Sequence, residues 1–137
     1  MRLGELKAES LRLMGLQPFG NISSLDINAL KNNPTYSGYL YAQIGAINRA
    51  LNRFFVVGVI PYCVRISAET DEQINLNEFA IPDELAELIP YFVAGELLVV
   101  EEPSLSANML NRFELLLEEY TSRQTQKAVE VLYQVEC

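Results

Sequence analysis

The sequence predicts a mainly α fold: a small bundle of about four helices with a short β-hairpin and an extended C-terminal arm. Three observations carry that expectation. Apolar residues recur every three or four positions in four separate stretches. Prolines fall at the edges of those stretches rather than in their middles, Pro90 excepted, and Gly15 follows the first stretch as a stop. Half of the 137 residues are hydrophobic, enough for one core without staples.

Residues 2–14 place Leu3, Leu6, Met14 and one of Leu11 or Leu13 near helical spacing, and Gly15 follows as a stop. Arg2, Lys7 and Arg12 are charged positions of this first helix that could meet a partner. Residues 16–35 are rich in turn formers, among them Pro18, Gly20, Asn21, Asn32, Asn33 and Pro34, and read as a flexible loop with room for a helical turn at Leu25–Leu30. Residues 36–60 form the longest helix candidate. Tyr36, Leu40, Ile44, Ile47, Leu51 and Phe54 or Phe55 make its apolar stripe, and Gln43, Asn48, Arg49, Asn52 and Arg53 its other face. The β-branched run before Pro61 argues for an early stop.

Tyr62, Val64 and Ile66 alternate with Cys63, Arg65 and Ser67, and Ile74 and Leu76 continue after a polar turn, which predicts a hairpin over 62–76. Helix resumes at Pro82, with Asp83 and Glu84 suited to its N-terminal dipole. Leu85, Leu88, Ile89, Phe92 and Val93 form its stripe, and Pro90 predicts a kink. Glu101-Glu102-Pro103 breaks the chain before a last helix with Leu105, Met109, Phe113, Leu116 or Leu117, and Tyr120 inward. So short a link predicts an antiparallel pair. Val129, Val131, Tyr133 and Val135 then alternate with polar or larger residues at period two. That pattern fits a strand-like arm able to add to a partner's sheet edge; it fits equally an internal strand or an extension of the preceding helix. The division expected is a helical domain over 1–122 and an arm over 123–137.

Composition narrows function. The chain has 10 Lys+Arg, 18 Asp+Glu and no His, a net charge of −8. Without His there is no Ser-His or Cys-His nucleophile system and no His-ligated metal site. A charge of −8 argues against a protein that grips DNA phosphates. The glycines form neither GxGxxG nor a P-loop, and no calcium-loop spacing occurs among the carboxylates, so no cofactor or metal is expected. Carboxylate clusters such as Glu69, Asp71 and Glu72, or Glu118-Glu119, read as solvated surface. Cys63 and Cys137 are no disulfide framework; Cys63 reads as a small buried residue. No signal peptide and no membrane span is legible, so the chain reads as cytosolic when made. The expectation is a protein that is not an enzyme. Candidate contact residues are Arg49 and Arg53, at i, i+4 on the long helix, and Tyr39 and Tyr41 at its start, since tyrosine is enriched in binding hot spots.

Three stretches in order carry a family resemblance: Ile47-Asn48-Arg49-Ala50-Leu51, then Ile81-Pro82-Asp83-Glu84-Leu85 running into Leu88-Ile89-Pro90-Tyr91-Phe92-Val93-Ala94-Gly95-Glu96-Leu97, then Glu101-Glu102-Pro103. Over roughly residues 36–120 the chain resembles the head-tail adaptor (connector) proteins of tailed bacteriophages and prophages. The resemblance implies a small helical subunit that assembles as a ring of about twelve copies beneath the portal, a closed cyclic oligomer. Such a ring extends the DNA channel without binding DNA specifically and offers a surface to a stopper/neck or tail-completion protein. The resemblance also implies a C-terminal arm on the portal, which assigns Val129, Val131, Tyr133 and Val135 to that contact. The location implied is the virion neck, after assembly in the host cytoplasm. A second reading, from charge alone, is an acidic regulatory binding module such as a host-factor inhibitor or DNA mimic, with a basic partner and a salt-dependent complex.

Overall fold

The computed structural model describes residues 2–15, 34–61, 64, 66 and 81–134; for residues 34–37, 40 and 125–134 the description is of the helical backbone. Among the described residues five helical segments follow in order: α1 (Leu3–Leu13), α2 (Pro34–Val56), α3 (Asp83–Ala86), α4 (Ile89–Leu97) and α5 (Pro103–Gln134). The mainly helical expectation holds. No β-strand occurs among the described residues; Val64 and Ile66 lie in irregular chain, and the rest of the expected hairpin lies outside the described residues. So do the Leu25–Leu30 turn, Cys63, Cys137 and the loop up to residue 33.

The centre of the fold is α4. Its sequence, Ile89 to Leu97, carries one charge, Glu96, and is apolar on nearly every side. A helix of that kind has to be covered all round. It is packed by α1, by α2 and above all by α5. Leu85, Ile89 and Val93 meet Ile47, Leu51 and Phe54 of α2 and Phe113, Leu117 and Tyr120 of α5 in one core, to which α1 adds Leu3 and Leu6. Phe113 stands at the joint: its ring lies 5.9 Å from Phe54 and 5.0 Å from Phe92. A smaller cluster of Met14, Ala94 and Leu98 closes the end near the α4–α5 turn.

The α4–α5 pair is antiparallel. Gly95 lies beside Ser106 and Leu110, whereas Phe92 lies beside Phe113. Gly95 lets the helices touch: a Cβ there would stand 2.6 Å from Leu110 Cγ. The Ser106 hydroxyl, fully buried, donates to the Gly95 carbonyl at 2.6 Å. Two glycines end helices in the left-handed region, Gly15 after α1 (φ +80) and Gly58 after α2 (φ +81), where any other residue would be strained. The expected early stop of the long helix falls at Val56.

Four expectations are corrected. Pro90 breaks the helix rather than kinking it: α3 ends at Ala86, and α4 starts afresh with Pro90 in its first turn, because proline has no N–H for the bond to Ala86. Pro82 is the residue before α3, not its first. Gln43 is buried on the inner face of α2, and Lys7 on that of α1. The fourth concerns the C-terminal arm. The chain is helical through Gln134, so Val129, Val131 and Tyr133 stand on α5: of the readings the period-two pattern left open, the extension of the preceding helix is the one observed, and no extended arm occurs among the described residues. Ala128, Val131, Leu132 and Val135 also have the spacing i, i+3, i+4, i+7, and a helix already running extends at the cost of one residue per added hydrogen bond. Val135 lies outside the described residues.

Candidate functional site

Tyr39, Arg49 and Arg53 are tied to the α4–α5 pair of their own chain. The Tyr39 hydroxyl donates to Glu101 at 3.2 Å, at the turn between α4 and α5. Burial, then this hydrogen bond, raises the Tyr39 phenol above its ordinary pKa. Arg49 Nε and Nη2 both lie 2.5 Å from a Glu96 oxygen. Arg53 forks onto Glu114, with Nη2 at 3.1 Å and Nε at 3.4 Å. These pairs follow from the crossing of the helices: α2 runs down the α4–α5 pair, so its turn-end residue meets Glu101 and its far end meets α5. They are half-exposed, so each adds only about 0.5 kcal/mol. Their value lies in register, since each arginine ties α2 to a carboxylate on a different helix, Arg49 to α4 and Arg53 to α5.

Tyr41 goes elsewhere. It is 75% exposed, two residues from Tyr39 and so on a different side of α2. Phe55, Val56, Val99, Val100 and Leu115 are further exposed apolar side chains, Val99 and Val100 sitting in the α4–α5 turn.

Beside the Arg53–Glu114 pair opens a groove of about 500 Å³, floored by Val57 and Leu117 and edged by Glu118, Thr121 and Ser122. The Thr121 hydroxyl donates to the Leu117 carbonyl at 2.8 Å, the ordinary back-bond of a helical threonine. Among the described residues no three His, Cys, Asp or Glu side chains converge as a metal site would need. Among the same residues no helix is long and apolar enough to cross a membrane.

Three polar residues of structural weight escape a reading by charge. Lys7, 2% exposed, is held under α2, where desolvation lowers its pKa to about 8. Gln43 donates to the Lys7 carbonyl at 2.9 Å, while its own Oε1 is buried without a partner among the described residues. Asn48 donates to the Ile66 carbonyl at 2.9 Å and accepts from the Ile66 N–H at 2.7 Å, as a neighbouring strand would, and so pins that stretch to α2. Spacing could have found the first two: Lys7 stands between Leu3 and Leu11 at steps of four, and Gln43 stands four before Ile47. Nothing local marks Asn48, whose partner is distant in sequence. Glu96, Glu101 and Glu114 were legible only as acidic surface, because the crossing that pairs them is tertiary.

No protein-family model, curated protein or solved structure matches this chain. What the geometry defines is a class: a helical scaffold with a buried central helix, polar ties across its helices and a long last helix.

Proposed function

We propose that the chain is a structural adaptor of the tailed-phage neck, docking beneath the portal as a ring of about twelve copies and extending the DNA channel toward a stopper/neck or tail-completion protein. The observation that carries the reading is where the family-like stretches fall. Ile47 to Leu51 supply the buried ridge of α2 and the arginine that reaches α4. Leu88 to Leu97 are the central helix, and Pro82, Pro90 and Glu101-Glu102-Pro103 are its joints. The stretches are thus the framework of the subunit, as befits a protein whose work is to hold a shape.

Charge supports the same reading. At −8 per chain, a ring of about twelve carries about −96, a field that repels phosphate and lets DNA pass unheld. The adaptor performs no catalysis and needs no cofactor. In the assembled neck Arg49, Arg53 and Tyr39 stiffen the subunit from within, Tyr41 is free to meet a neighbour, and the end of α5 with Val129, Val131 and Tyr133, together with Val135 beyond it in sequence, reaches the portal.

The test is binding to purified portal rings, seen by electron microscopy, with the full chain and a chain lacking 128–137. The full chain should add a ring of density and the shortened chain should not. Failure of the full chain to bind would overturn the adaptor reading; equal binding by the shortened chain would remove the role of the helix end.

A further inference from the structure

Six arginines are described, and four hold a carboxylate of their own chain: Arg2 with Glu5, Arg12 with Glu9, Arg49 with Glu96 and Arg53 with Glu114. The two that do not, among the described residues, are Arg112 and Arg123, both exposed on α5. Arg123 lies over the Tyr120 ring at 5.9 Å instead of turning to Glu119. Glu119, also exposed, is likewise left without an ion pair among the described residues.

These residues share one line. At about 100° per residue, positions 112, 119, 123 and 130 fall within about 40° of arc on α5. The row reads Arg112, Glu119, Arg123, Glu130: plus, minus, plus, minus. It is symmetric about position 121 with the signs inverted, since Arg112 and Glu130 stand nine residues to either side and Glu119 and Arg123 two. A row of that symmetry is complementary to itself when turned end for end. Laid parallel and in register on itself, it would set every charge against its like.

We propose that the free chain pairs with a second copy of itself through α5, antiparallel about a two-fold axis at position 121. The pairing sets Glu119 against Arg123 of the second copy and position 112 against position 130, each twice. Leu115, 58% exposed, and the partly buried Leu116 flank the row and supply apolar cover. Ser122 beside it is small enough for close approach. Such an interface is isologous. It concerns the chain before assembly and does not rest on the adaptor reading.

The ordinary use of such charges is solvation of an exposed helix, with Glu119 and Arg123 at i, i+4 supporting the helix from within. Charge exchange between two chains separates the two uses. Sedimentation velocity is run on the full wild-type chain, on Glu119→Arg, on Arg123→Glu, and on an equimolar mixture of the two variants, with helicity followed by circular dichroism. The wild type should dimerise, less so in high salt. Each variant alone should dissociate roughly tenfold more readily, because two opposite contacts become like contacts. The mixture should recover the dimer, since every contact between unlike chains is again opposite. Should either variant lose helicity, Arg112→Glu mixed with Glu130→Arg makes the same comparison. A wild type that stays monomeric, a dimer indifferent to either reversal, a mixture that fails to recover, or a closed ring formed by the free chain would each overturn the proposal.

Discussion

Lys7 shows what a single residue costs this fold. It is an ammonium in a nearly closed interface, and desolvation brings its pKa from 10.5 to about 8. The unfolded chain therefore holds a proton that the folded chain has lost between pH 8 and 10.5, and stability contributed by Lys7 rises across that window. Below about pH 8 the full cost of the buried charge is present. Chemical denaturation of wild type and Lys7→Met at several pH values checks this: the stability of the variant minus that of wild type should fall by about 3 kcal/mol over the window. Gly95 is the second such residue. Gly95→Ala gains helix propensity of about 1 kcal/mol but drives a methyl into Leu110, at about 1–3 kcal/mol, and the clash wins. Thermal unfolding should show a Tm lower by a few degrees. At this scale much was legible. Leu3, Leu6, Ile44, Ile47, Leu51, Phe54, Phe113, Leu117 and Tyr120 are all buried where their spacing puts them. Residues judged by polarity alone, Lys7 and Gln43, were misplaced because position on a helix outweighs polarity when a partner or a pKa shift can relieve the burial.

At the scale of elements, the α2 ties are matters of register more than of strength. A double-mutant cycle on Arg53→Ala and Glu114→Ala should give a coupling of about 0.2–1 kcal/mol, read from urea midpoints. Asn48 should matter more. Asn48→Ala leaves the Ile66 N–H and carbonyl without their partner, at about 1–2 kcal/mol, and hydrogen exchange at the Ile66 amide should speed up ahead of the core. The helices themselves were legible from spacing and punctuation: Gly15, the stop before Gly58, the Glu101-Glu102-Pro103 turn and the antiparallel α4–α5 pair. The end of α5 was not. Eight residues from 128 satisfy both a period of two and a period near 3.6, and the helix already running into them decides between the two. For Pro90 the missing N–H was legible, but whether the turn before it keeps or loses its helical bonds was not.

For the whole molecule, the central helix and its three packing partners share one core, and the chain as a whole carries a net charge of −8. Rigidity from a shared core, acidity and a long last helix are what a subunit of a DNA-passing ring requires, and this is the central claim. It is tested most directly by the copy number of this chain relative to portal protein in purified particles from the source strain, measured by quantitative mass spectrometry. The account predicts a ratio near one in complete particles, with the chain missing from heads that lack a neck. Its absence from complete particles would contradict the account and leave the acidic regulatory module as the reading to pursue.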